Sequence, residues 1–201
     1  MTTRGSLEAK VADMLARTDL TTQIASELTS AIRHYESEQF WFNEHRLSLS
    51  CSSTVVEYTL SASIVQILTV QITRSSSSYV IDEISEAERI SYDTGNVTGD
   101  PSWYAFFRGA FIPYPRPSSA YVATISCIRK PATLSVTTDS NVFTINAREL
   151  IESRTAANIA LRYTRSTEDA QVFKLLEQEA LAELRARDSR KQPNRIIPTD
   201  F

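Results

Sequence analysis

The chain has 201 residues, 42% of them apolar and 22% charged, which is enough to build a substantial core and excludes wholesale disorder. A net charge of −3 and a pI near 5.5 exclude a global basic field for nucleic acid or anionic lipid. Two cysteines, Cys51 and Cys127, with no CxxC and only two histidines, point away from a structural zinc site and read as small buried residues.

The first residues lack the apolar run of a signal peptide, and the most apolar stretch, Ile64 to Ile72, is too short to span a bilayer. The expectation is therefore a soluble protein made in a cytoplasm, with no membrane partner. Ser6 offers an N-cap to a first helix carrying Leu7, Val11, Met14 and Leu15. A second helix places Ile24, Leu28, Ala31, Ile32 and Tyr35 on one stripe and runs into Phe40-Trp41-Phe42. Neighbours on a helix point about 100° apart, so three consecutive rings predict that at least one serves an interface.

From Leu47 to Phe143 the pattern changes to strands. Leu47, Leu49 and Cys51 are in phase, as are Leu68, Val70 and Ile72, and Tyr121, Ala123, Ile125 and Cys127. The serines at 75–78 read as a hairpin loop, and the acidic stretch Asp82 to Glu88 as a helical turn. Asn96–Pro101 and Pro113–Ser119 read as turns. Five aromatics between Trp103 and Phe111 exceed what one strand face buries, which predicts a surface formed by Trp103, Tyr104 and Phe106 together with Phe40 and Trp41.

Helical periodicity then returns. Asn146-x-x-Glu149 resembles a capping box for a third helix with Leu150, Ile151, Ile159 and Leu161. Ser166-x-x-Asp169 caps a fourth, with Phe173, Leu176, Ala180, Leu181 and Leu184 on its buried seam. After Asp188 the chain turns basic and then proline-bearing, and residues 190–201 read as an extended tail. The expected fold is α+β. N- and C-terminal helices (1–45 with 144–189) form an antiparallel bundle with Leu28, Ile32, Leu150, Leu161, Phe173 and Leu184 in its core. An antiparallel β domain (46–143) is inserted into it.

No catalytic constellation assembles. No nucleophile-elbow sequence surrounds any serine that could pair with His34 or His45, and the four glycines form no phosphate loop. The carboxylates Asp82, Glu83, Glu86, Glu88 and Asp93 read as a solvated turn. No catalytic, cofactor-binding or metal-binding residue is assigned. The basic end, Arg185, Arg187, Arg190, Lys191 and Arg195, fits either cations at a helix C-terminus or, with Ile196, Ile197 and Phe201, a protein-binding peptide.

The order of these pieces resembles a known family. Ala31-Ile32-Arg33-His34-Tyr35 through Phe40-Trp41-Phe42-Asn43-Glu44 is similar to the helix-to-aromatic signature of tailed-phage head-to-tail adaptors. Glu57-Tyr58-Thr59-Leu60 resembles the short strand that follows it, although Val55-Val56 stands where the family often has Gly-Gln. Gly99-Asp100-Pro101-Ser102-Trp103-Tyr104-Ala105 and Phe111-Ile112-Pro113-Tyr114-Pro115-Arg116-Pro117 look like its next two elements. Tyr121, Pro131 to Leu134, Ser140-Asn141, Ala147 and Leu150-Ile151 continue in order, so the resemblance covers about Ala31 to Leu184. It implies a structural virion protein of the head-tail junction, synthesised in the host cytoplasm. Such a protein forms a dodecameric ring beneath the portal protein, extends the DNA channel without binding DNA specifically, and seats the tail or nozzle protein. Arg190, Lys191, Arg195, Ile196, Ile197 and Phe201 would then form a portal-binding tail. Rival readings are a virion-associated cell-wall hydrolase using a carboxylate pair and a glycan-binding β module using Trp103 and Tyr104.

Overall fold

The computed structural model of the protein describes residues 2–191 apart from 54, 76, 94 and 96, with the side chains of 190 and 191 excluded. Among the described residues the fold is mixed α+β, with six α-helices and a curled, mainly antiparallel sheet. In chain order it runs α1 (Arg4–Met14), α2 (Thr21–Tyr35), β1 (Glu44–Cys51), β2 (Tyr58–Thr59), β3 (Ile64–Arg74), β4 (Ser77–Glu83), α3 (Glu86–Tyr92) and β5 (Thr98–Gly99). It continues with β6 (Trp103–Phe107), β7 (Ala110–Tyr114), β8 (Arg116–Pro117), β9 (Tyr121–Arg129), α4 (Val142–Asn146) and α5 (Arg148–Ile159). A π-helical turn (Ala160–Thr164) then leads into α6 (Thr167–Lys191).

Two compact units emerge, Met1–Asn43 with Pro131–Phe201, and Glu44–Lys130. Residues 131–143, expected with the strands, cluster with the helices. Leu134 and Phe143 enter the helical core. Arg4 donates through Nη1 to the carbonyls of Leu134 and Ser135, each at 3.1 Å. Asp139 stabilises this loop by accepting the Ser135 and Val136 N–H groups at 2.6 and 2.9 Å.

In the helical unit Leu7, Leu28, Ile32, Leu150, Ile151 and Leu184 share one core, and Val11, Ile24, Ala156 and Ile159 a second against which Phe173 packs. Leu161, expected in the core, is 48% exposed. Leu161 lies in the π-helical turn, whose wider winding departs from the α-helical spacing on which its expected burial rested, while Ile159 and Ala160 just before it are buried. The caps also differ from expectation. Thr3 rather than Ser6 is the N-cap of α1, with Ser6 closing a reciprocal box. Asn141 rather than Asn146 opens the C-terminal helices, its Oδ1 accepting from the N–H groups of Phe143 and Thr144. Ser166 caps as its spacing implies, accepting from the Asp169 N–H. Helix α6 continues three residues beyond Asp188, to Lys191.

The β unit holds a seven-stranded sheet ordered β1-β9-β3-β4-β6-β7-β2, antiparallel except for a β4–β6 contact at Asp82 and Glu83, and a two-stranded parallel sheet of β5 and β8. Strand β9 buries Tyr121, Ala123, Ile125 and Cys127, in line with its alternation. Strand β3 departs from simple alternation. Register shifts against β9 between Ile64 and Gln66 and between Ile67 and Thr69 bring Ile64, Ile67, Val70 and Ile72 inward, leaving Leu68 half-buried. Pro113, expected in a turn, lies in β7 opposite Tyr104. Strand β2 covers β7 only at Ala110 and Phe111, so at Pro113 the missing N–H interrupts no ladder.

Candidate interaction surfaces

The aromatic segment after α2 is an internal wedge. The Phe40 and Phe42 rings stack at 5.1 Å, and both meet Phe143 edge-on, at 6.2 and 5.2 Å. Asn43 fixes the turn, accepting the Phe40 N–H at 2.9 Å and donating to the Glu38 carbonyl at 2.7 Å. Phe40 is fully buried and Trp41 and Phe42 half-buried against the same core. Phe40 is therefore corrected from a surface residue to a core one. A tight turn rather than continued helix lets adjacent rings converge.

The aromatics of β6 divide by face. Tyr104 is buried in the β core and Phe106 packs half-buried beside it, which removes Tyr104 from the predicted surface. Burial, followed by the Glu83 carboxylate, pushes the Tyr104 phenol well above its ordinary pKa. Ala105 turns to the other face, where it meets Ala110 and Ile112. Trp103 remains 39% exposed and joins a ring stack the sequence did not reveal, with Tyr92 at 6.2 Å and Tyr114 at 6.4 Å. The Tyr114 hydroxyl donates to the Tyr92 carbonyl at 2.7 Å and so ties α3 to β7. Phe107 is exposed as well, beneath the Arg108 guanidinium at 5.2 Å.

Helix α6 buries a narrow seam at three- and four-residue spacing, Ala170, Ala180 and Leu184 with Phe173 and Glu177 half-buried. Leu176 stands one residue from that seam, about 100° round the helix, and is exposed rather than buried. With Val172 and Leu175 it forms an exposed apolar stripe. Glu177 sits on the inner seam because it has partners: it accepts from the Tyr35 hydroxyl and from Arg154 Nη1, whose guanidinium lies 5.4 Å over the Tyr35 ring. Arg190 and Lys191 lie in the last turn of α6, while Arg195, Ile196, Ile197 and Phe201 fall outside the described residues.

The acidic cluster is engaged structurally. Glu86 accepts two hydrogen bonds from Arg89, at 2.7 and 2.8 Å, and Glu88 closes the cap at Ser85. Those bonds hold both carboxyls below their usual pKa, the direction opposite to that of a general acid. Cys51 and Cys127 are free and buried, and burial raises both thiols. Among the described residues no group of three or more His, Cys, Asp or Glu could hold a metal ion, and no helix is long and apolar enough to cross a membrane.

Engaged carboxylates and apolar patches left on both units describe an assembly component, and the class is that of the phage head-to-tail adaptors. The chain belongs to the SU10 adaptor protein family, whose model matches residues 2–197. No curated protein matches it. Membership carries a structural role in the virion, in contact with phage portal and tail proteins.

Proposed function

We propose that this protein is one subunit of a dodecameric ring beneath the portal, where it extends the DNA channel and seats the tail or nozzle. The observation that carries this reading is the family match across residues 2–197, both units included. A net charge of −3 suits a channel that DNA must traverse without sticking. In this reading the helical unit is an antiparallel bundle and the segment after Lys191 an extended tail. Arg190, Lys191 and Arg195 meet acidic groups of the portal, and Ile196, Ile197 and Phe201 fill apolar pockets. Pro193 and Pro198 restrict the unbound ensemble and lower the entropy lost on docking. Repetition around a ring makes weak attachments hold. Trp103 and Phe106 on the β unit and Trp41 on the helical unit, each at least partly exposed, serve subunit or tail contacts.

The test is deletion of the residues after Gln192. The truncated protein is expected to fold normally and fail to attach to portal-bearing heads, which then leak DNA. Wild-type attachment by the truncated chain places the anchor elsewhere. The Tyr92–Trp103–Tyr114 stack, exposed at Tyr92 and Trp103 and backed by the buried Tyr114, favours one second reading, a glycan-binding surface, which a glycan array decides.

A further inference from the structure

Two strand edges of the β unit are open. Strand β1 ends the seven-stranded sheet and bonds only β9, over eight successive residue pairs without a bulge. It contains neither proline nor glycine. Strand β4 is paired with β3 from Ser77 to Ile81, but on its other side β6 reaches only Asp82 and Glu83. Among the described residues no other backbone-to-backbone hydrogen bond reaches His45–Ser50 or Ser77–Ile81, and the Cys127 and Cys51 thiols make only long contacts, 3.5 and 3.7 Å, to the His45 and Leu49 carbonyls. A long regular edge invites another strand, and folded proteins ordinarily blunt it with proline, a bulge or a cover. Neither proline nor a bulge blunts β1.

The two edges are complementary. Strand β1 is antiparallel to β9, β9 to β3 and β3 to β4, so β1 and β4 run in opposite directions. A second copy turned about an axis along the strands therefore presents its β1 antiparallel to β4. The faces match as well. Leu47, Leu49 and Cys51 lie on the core face of β1, and Tyr79 and Ile81 on the core face of β4. Leu47, Leu49 and Tyr79 are only half-buried, as residues at an uncompleted margin of a core. On the other face Arg46 and Ser48 are exposed on β1, and Ser78 and Val80 on β4, with Val80 60% exposed. Trp103, paired with Asp82, blocks the β4 edge beyond Ile81. With like faces kept together and the overlap as long as this stop allows, Leu47 falls opposite Tyr79, Arg46 opposite Val80 and Ser48 opposite Ser78.

We propose that neighbouring subunits of the ring join edge to edge, β1 of one adding antiparallel to Ser77–Ile81 of the next to make one sheet that crosses every subunit boundary. The inference rests on the ring reading above and specifies its contact. The join is heterologous, so each subunit uses both edges at once, as cyclic closure requires. It satisfies the open backbone groups, lays the Arg46 stem over Val80, and completes the core margin at Leu47 and Tyr79.

The test is cysteine cross-linking in the portal-bound assembly. Residues directly opposite across an antiparallel pair have Cα atoms about 4.5–5.5 Å apart, within disulfide reach. Arg46→Cys with Val80→Cys, and separately Ser48→Cys with Ser78→Cys, alter only exposed side chains. Each pair is expected to give, on oxidation, a ladder of covalent oligomers on a non-reducing gel up to the ring, while either single substitution gives none. A ring of wild-type mass in which neither pair cross-links overturns the edge join and leaves the ring reading standing. Ladders from open chains that never close support the edge join and overturn the ring. Wild-type chains that never assemble, with no ladder, overturn both.

Discussion

Gly5 donates its backbone N–H to the Thr137 carbonyl at 2.8 Å, and a Cβ at Gly5 would stand 3.1 Å from both that carbonyl oxygen and the Thr137 Cβ. The first turn of α1 is thus docked on the loop that precedes α4. Gly5→Ala is expected to be nearly neutral, because up to ~1 kcal/mol of helix propensity offsets a displacement of a few tenths of an ångström. Gly5→Val, with two further atoms directed at that backbone, should cost about 1–3 kcal/mol. Denaturant midpoints of the two variants check the contrast.

Asn141 accepts two backbone N–H groups and donates through Nδ2 to the Ala132 carbonyl at 2.9 Å. Asn141→Ala should cost about 1–2 kcal/mol, the value of a lost cap. Asn146→Ala removes only a bond to the Val142 carbonyl within its own helix and should cost a few tenths at most. Thermal denaturation of the pair decides which asparagine starts the C-terminal helices.

Phe40→Ala should cost about 3–5 kcal/mol and Leu28→Ala about 2–5 kcal/mol, because each leaves a cavity in the helical core. Trp103→Ala, at the exposed end of a ring stack, should change stability by no more than about 1.5 kcal/mol. A Trp103→Ala protein that unfolds as readily as Phe40→Ala would remove Trp103 from the list of surface rings.

Asp139 carries the expected pH signature. The N–H groups of Val136, then Ser135, hold its carboxyl below the ordinary value of 3.8. The folded pKa is depressed, so this contribution is complete above the unfolded pKa and disappears as pH falls through the lower folded value. The stability difference between wild type and Asp139→Asn should be constant near neutrality and shrink on acidification below about pH 4. A difference that grows on acidification reverses the sign and contradicts the hydrogen-bond assignment.

The residues show why some features were legible in the sequence and others were not. Strand β9 was legible because Tyr121, Ala123, Ile125 and Cys127 alternate without interruption. Strand β3 was half-legible: its apolar residues marked a strand, but its bulges answer to β9 and leave no local sign. Leu161 was misplaced because nothing local in the sequence marks the π-helical turn that follows α5. Phe40 and Tyr104 were assigned to a surface because adjacent aromatics were counted against one helix stripe or one strand face. A turn braced by Asn43 and a curled sheet provide cover on more sides than that. Glu177 gave no signal at all, since its Tyr35 and Arg154 partners lie 142 and 23 residues away. The Tyr92–Trp103–Tyr114 stack likewise joins three separate elements, and only the fold brings them together.

The triad at Glu177 yields a further prediction. Glu177→Ala leaves the Tyr35 hydroxyl and Arg154 guanidinium without their shared acceptor and should cost about 1–3 kcal/mol. Glu177→Gln keeps an acceptor and should recover part of that loss. Equal denaturant midpoints for Ala and Gln would show that neither side-chain packing nor a neutral acceptor at this position contributes, leaving only the charge of the carboxylate.

The most direct test of the adaptor role is the mass of an isolated portal ring measured before and after incubation with this protein. The predicted result is one discrete increase equal to twelve chains, with no partly filled species at saturation. An unchanged portal mass at saturating protein, with the protein folded, would contradict the assignment.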